Sequence, residues 1–210
     1  MSIRLRPLRL APLWLVACLF ATAVSTDTQA TEATPASGAD RARIGADSGR
    51  AIDGRAAVNQ TAGVGNVQTN LAAIAVATEG VAIASASAGQ STVDANDGLR
   101  DASAHIGAGA FADSHGLLSV NQSAGAGNAQ ANLFVLATGT ASVGLDDTAL
   151  ATIAGETQAN AGSETAPRQR EAAIAGDAFR GGEGVLQINQ TVGVGNSSAN
   201  AIVLQLPGGF

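Results

Sequence analysis

Lysine and tyrosine are absent from the 210-residue sequence, and tryptophan, methionine and cysteine occur once each. Each scarcity closes something off. With five Phe as the main aromatic supply, too few large side chains exist for a thick globular core, although the hydrophobic share reaches 46%. A thin core of small residues is the expected solution. The two histidines, His105 and His115, are too few for a metal cluster and have no Ser or Cys partner repeated around them, so neither a hydrolase triad nor a cofactor site is expected. All eleven basic residues are Arg, set against seventeen acids for a net charge of −6. Such a balance does not seek nucleic acid.

Long apolar runs are equally scarce. The clearest, Leu10 to Val24, follows Arg4, Arg6 and Arg9 and precedes the polar stretch "STDTQATEATPASGAD". That is the pattern of an export signal, too short for a comfortable membrane span. Residues 1–24 are expected to be a signal peptide, cleaved near 23, after the small residues "ATA", or near 30. "LVAC" at 15–18 resembles a bacterial lipobox with Cys18 as the lipidated residue, but the apolar run continues beyond it through Leu19 and Phe20. In the alternative, Cys18 is discarded with the signal and the mature chain has no thiol for disulfides or chemistry.

What is abundant is glycine, with 26 residues, and one phrase spelled three times. "VNQTAGVGNVQTN" starts at 58, "VNQSAGAGNAQAN" at 120 and "INQTVGVGNSSAN" at 188. Aligned on Asn59, Asn121 and Asn189, the match extends upstream to Ile44, Ile106 and Ile174 and downstream to Ile74, Leu136 and Leu204. The expected organisation is therefore a disordered leader at 25–43, repeats at 44–76, 106–138 and 174–206, spacers at 77–105 and 139–173, and a tail at 207–210.

Each repeat reads as strand, turn, strand. "AAVNQTA" alternates with a period of two, placing Val58 and Gln60 on one face and Asn59 and Thr61 on the other. Gly63 and Gly65, with Gly125, Gly127, Gly193 and Gly195 in the other copies, tolerate positive φ, and Asn66 also visits the left-handed region, so a hairpin-like reversal is expected. The spacers alternate small and branched residues around "EG" and "TG", which suggests a further hairpin, whereas "GETQANAGSETAPRQREA" at 155–172 reads as a linker.

Identity, as opposed to similarity, calls for a physical reason. Residues stacked about 4.8 Å apart let each amide donate to one neighbour and accept from the other. Ladders are therefore expected at Asn59, Asn121 and Asn189; at Gln60, Gln122 and Gln190; at Asn66, Asn128 and Asn196; and at Asn70, Asn132 and Asn200. The fold class expected is all-β, a β-solenoid of three imperfect repeats, with a disordered leader and flexible spacers. Neither end carries an atypical capping repeat, and "IVLQL" at 202–206 is expected to leave an edge available for pairing. Asp53, Arg55, Asp113, Arg180 and Glu183 flank the strands as gatekeepers against premature aggregation.

Other motifs explain less. The N-x-[ST] triplets at 59, 121, 189 and 196 follow from strand alternation, "GxGN" lacks the Lys and βαβ context of a phosphate loop, and "GGEG" at 181–184 lacks the aspartates of a calcium repeat.

An export signal followed by three copies of "[VI]-N-Q-[TS]-x-G-x-G-N-x-x-x-N", separated by two long spacers, resembles the fibril subunits of the Fap functional-amyloid system of Gram-negative bacteria. It is similar, more distantly, to curlin repeats. The resemblance implies export through the periplasm, an outer-membrane secretion pore and a periplasmic chaperone as partners, and self-association into extracellular cross-β fibres that support biofilm and adhesion. One departure is that the major Fap subunit carries a C-terminal Cys-x-x-Cys, whereas this chain ends "QLPGGF". The alternative from another class is a monomeric secreted or lipid-anchored β-solenoid adhesin. No enzyme activity is expected.

Overall fold

The computed structural model describes residues 38–78, 80–92, 101–139, 141–144, 151–154 and 169–207. The expected signal peptide, Cys18, most of the leader and much of the second spacer, including 155–168, lie outside them. Among the described residues the chain is all-β. Thirteen strands follow one another: β1 Ala39–Ile44, β2 Asp53–Ala62, β3 Val67–Val76, β4 Val81–Ala84, β5 Ala88–Ser91, β6 Asp101–Ile106, β7 His115–Ala126, β8 Ala129–Gly139, β9 Ala141–Gly144, β10 Ala151–Ala154, β11 Arg170–Ile174, β12 Glu183–Val194 and β13 Ser197–Pro207.

Every described pairing is parallel. The sheets run β1-β6-β11, β2-β7-β12, β3-β8-β13, β4-β9 and β5-β10. Strands β1 to β5 form a first layer, β6 to β10 a second, and β11 to β13 a third. The register joins equivalent positions of the three copies: Asn59 with Asn121 and Asn189, and Leu71 with Leu133 and Ala201. Parallel neighbours need a long crossover between them, and here the rest of a layer provides it.

The expected hairpin reversal is not what forms. Strands β2 and β3 sit in different sheets and make no ladder with each other. The turn's own backbone bonds run to the next layer, from Val67 N to the Asn128 carbonyl at 2.8 Å and from Gly127 N to the Val64 carbonyl at 3.0 Å. Two-residue turns with primed geometry close hairpins. Here the four-residue turn, with φ of 103° at Gly63 and 67° at Gly65, brings the two strands face to face through their side chains. The spacers follow the same rule: β4 pairs with β9 and β5 with β10, across layers and not within them.

Pairing also begins upstream of the expected repeat starts. Ala39 to Arg43, Asp101 to His105 and Arg170 to Ala173 all lie in strands.

The core is thin and small-grained. Ile44, Ile106, Phe111, Leu118 and Val120 are buried between the β1-β6-β11 and β2-β7-β12 sheets, with Ala42, Ala102, Ala104 and Ala124 beside them. A second apolar layer of Leu133, Val135, Ala131 and Ala137 packs under Ala82 and Ala84 of β4. Between these two lies a polar seam, because the odd-numbered face of β2 turns Asn59 toward Asn70 of β3, where the side chains bond at 2.8 Å. Burying such amides is tolerable only when each finds a partner. How they do so is the centre of the molecule.

Candidate functional site

The four amide columns follow from strand register. In the glutamine column Gln122 Nε2 donates to Gln60 Oε1 at 2.7 Å, and Gln190 Nε2 donates to Gln122 Oε1 at 2.8 Å. Each glutamine also reaches the carbonyl seventeen residues upstream: Gln60 to Arg43 at 2.7 Å, Gln122 to His105 at 3.1 Å and Gln190 to Ala173 at 3.1 Å. The column thus ties the β2 sheet to the β1 sheet.

Asn59, Asn121 and Asn189 form the seam on the opposite face. Asn121 Nδ2 donates to Asn59 Oδ1 at 3.0 Å, and Asn189 Nδ2 to Asn121 Oδ1 at 3.0 Å. The facing column repeats the geometry, Asn132 to Asn70 at 2.9 Å and Asn200 to Asn132 at 3.0 Å. Cross-bonds join the two, from Asn132 Nδ2 to Asn121 Oδ1 at 2.9 Å and from Asn200 Nδ2 to Asn189 Oδ1 at 3.1 Å. The middle rungs Asn121, Gln122, Asn128 and Asn132 are 0% exposed. Deleting one such amide leaves its neighbours' buried groups unpaired, at a cost of about 1–3 kcal/mol for each group stranded.

The fourth column caps the turn. Asn128 Nδ2 donates to Asn66 Oδ1 and Asn196 Nδ2 to Asn128 Oδ1, both at 2.8 Å. The expectation that Asn66 adopts left-handed backbone is corrected, since among the described residues the non-glycine positions with positive φ are Asp47, Ala51, Phe111, Asp113 and Phe179. Its side chain serves instead, bonding the Ala62 carbonyl at 3.3 Å across its own turn and the Gly125 carbonyl at 2.8 Å in the next layer.

Glycine is demanded at the turn by close approach as well as by φ. A Cβ on Gly63 would lie 2.1 Å from the Gly125 carbonyl oxygen, and one on Gly125 would lie 2.1 Å from that of Gly193. No real Cβ sits so close. On Gly193, at the outer face of the third layer, the nearest atom would be 3.4 Å away.

Three further features are absent from the expected site. Gln68 Nε2 donates to Gln130 Oε1 at 2.6 Å, a column broken in the third copy by Ser198. Buried Gln90 and Gln187 donate to the Gln130 and Leu133 carbonyls, both at 2.9 Å. Phe111 and Phe179 stack with centroids 5.5 Å apart, and Gly49 makes room for Phe111 in the first layer. Two matching copies were the available signal for Gln68/Gln130 and for the phenylalanines, which share the column five residues before Gly116 and Gly184.

Charges are placed layer against layer. Arg50 bonds Asp47 of its own layer at 3.0 Å and Asp113 of the second at 2.9 Å, and these two carboxylates, Asp113 first, hold its guanidinium above its ordinary pKa. Asp53, His115 and Glu183 are in register at the starts of β2, β7 and β12, with His115 Nδ1 3.7 Å from Glu183 Oε2. Arg55 reaches the Asn70 carbonyl at 3.3 Å, and the Arg180 carbonyl accepts from Asp113 N at 2.8 Å.

Nothing in this arrangement offers a nucleophile beside a base. It is a device for repeating one cross-section. Among known families, the sequence model described as the functional amyloid protein FapB/FapC family matches residues 21–207. No solved structure matches the chain.

Proposed function

The chain belongs to the functional amyloid protein FapB/FapC family, and from that premise we propose that it is a secreted structural subunit of an extracellular functional-amyloid fibre that supports biofilm and adhesion. In this reading the three layers are a short β-solenoid, and the stack continues from one copy into the next. The observation that carries it is that four amide columns cross all three layers with one donor direction, so each end layer keeps half of a rung. A ladder gains from each added rung, because a rung inside the stack has partners on both sides.

The residues of the ladder are Asn59, Gln60, Asn66 and Asn70 and their counterparts, with Gly63 and Gly65 and theirs setting the turns. Asp53, Arg55, Asp113, Arg180 and Glu183 act as gatekeepers at the strand flanks. Export proceeds by the N-terminal signal through the periplasm, with a chaperone there and an outer-membrane pore as transient partners.

Purified mature chain, incubated at micromolar concentration, is expected to form thioflavin-T-positive fibres with a meridional reflection near 4.7–4.8 Å. A chain that stays a soluble monomer with no such reflection after prolonged incubation would refute the reading and favour a monomeric surface-binding solenoid.

A further inference from the structure

We propose that assembled fibres pair side by side through the outward face of the β4-β9 sheet, and that Val81 and Ile83 hold one fibre to the next. The partner is the same face on a second stack of copies of this chain, and the inference rests on the fibre reading given above.

Alternation along β4 and β5 makes the face. The even positions from 82 to 92 are buried or half-buried, and Ala82 and Ala84 pack on Leu133 and Val135. The odd positions, Val81, Ile83, Ser85, Ser87, Gly89 and Ser91, are exposed. A sheet that covers a core with one face ordinarily shows polar residues on the other. Val81 and Ile83 depart from that rule, being 58% and 68% exposed. Register sets Ala141 and Val143 of β9 opposite them in the second layer.

Charge distinguishes this face from the others. The β1-β6-β11 sheet exposes Arg41, Arg43 and Glu171, the arcs that follow β1 and β6 expose Asp47, Arg50 and Asp113, and the strand starts expose Asp53, His115 and Glu183. Residues 81–84 and 141–144 include no charged residue, and the uncharged run ends in sequence at Asp146 and Asp147, which lie outside the described residues. In a chain with seventeen acids against eleven Arg, two stacks repel one another overall. They approach with least opposition where the sheet is neutral, and the small residues around Val81 and Ile83 let two such sheets close to the roughly 10 Å spacing of dry facing sheets.

Area decides when pairing occurs. Two exposed large side chains per copy fall far short of the roughly 800 Å² per partner of a stable interface. Single chains therefore stay apart. Stacking repeats the patch once per copy along one side of the fibre, so the contact grows with fibre length while the rotational and translational freedom lost on pairing is lost once. Lateral pairing is thus a property of the fibre and not of the chain.

The test compares fibres of the unaltered mature chain with those of Ile83→Asp, Ile83→Ser and Ser48→Asp, the last placing the same charge at an exposed position of the first arc. Fibre width by negative-stain electron microscopy and the fraction pelleted at low speed are read at matched thioflavin T signal. Unaltered fibres are expected to lie in pairs and bundles. Ile83→Asp elongates within about twofold of the unaltered chain, since position 83 is exposed. Its fibres stay single and its low-speed pellet falls at least about fivefold, because pairing would bury a row of unpartnered carboxylates. Ile83→Ser removes apolar area without adding charge, gives a smaller loss of pairing, and decides the question if Ile83→Asp does not assemble. Ser48→Asp bundles as the unaltered chain does. Unaltered fibres that stay single, Ile83 variants that bundle undiminished, or a Ser48→Asp variant that disperses as far as Ile83→Asp would each overturn the proposal while leaving the fibre reading intact. An unaltered chain that forms no fibre overturns both.

Discussion

At the scale of the residue, the molecule depends on amides that a folded protein ordinarily keeps at its surface. Gln122 has no exposed area, accepts from Gln190 and donates to Gln60 and the His105 carbonyl. Gln60 holds the same column at the rim of the stack, half-buried and with one inter-layer bond. Gln122→Ala is therefore expected to destabilise the monomeric chain by roughly 2–4 kcal/mol and Gln60→Ala by about half that, from the number of stranded partners. Urea unfolding below the assembly concentration measures the difference, and equal losses would argue against the column as a cooperative unit. The twelve ladder residues were legible because three copies carried the same letter. Gln90 and Gln187 were not, since one copy alone has each amide and its carbonyl partner comes from a distant strand. Asn66 was legible as a turn residue with the wrong mechanism, because Asn in a turn suggests left-handed backbone as readily as a side-chain bond to the adjacent layer.

At the scale of the element, turn composition told where the chain bends and not what the bend joins. "GVGN" satisfies the requirements of a hairpin and of an arc alike, and only inter-layer bonds such as Val67 N to the Asn128 carbonyl separate them. The arc makes a specific demand on glycine. Gly125 and Gly193 have similar φ, 109° and 123°, but a Cβ collides with backbone in the first case and makes only ordinary van der Waals contacts, at 3.4 Å and beyond, in the second. In the monomer, Gly125→Ala is expected to cost roughly 2–4 kcal/mol more than Gly193→Ala, which carries the φ strain alone. In fibres the order of effect changes: Gly193→Ala chains added to unaltered seeds should block further growth, because the new Cβ meets the next copy's turn. Growth unaffected by Gly193→Ala would mean that copies do not continue the turn stack.

At the scale of the whole molecule, three copies act as one cross-section repeated, and assembly should respond to the repeated columns far more than to the chain between them. Replacing Gln60, Gln122 and Gln190 together by Ala is expected to slow fibre formation by an order of magnitude or more, on the basis of about 1 kcal/mol per lost bond. Replacing Thr157, Gln158 and Asn160 by Ala should change it little. Lag time and elongation rate at matched concentration decide between them, and comparable effects would remove the ladders from the account. The first spacer also matters at this scale, since β4 caps the Leu133 and Val135 layer from a region whose composition suggested only flexible chain and a local hairpin.

Sequence alone determined the all-β class, the three copies, the alternation of faces and the identity of the rungs, because period-two patterning and threefold identity are local properties that survive without coordinates. Tertiary structure decided which strand each strand bonds, that β2 and β3 face each other without pairing, that the spacers contribute strands to the stack, and that the amide-to-amide bonds of the four threefold columns run from the third layer toward the first. These depend on where backbone and amide hydrogens find acceptors in other layers, 62 or 68 residues away, and no local pattern specifies a partner at that distance.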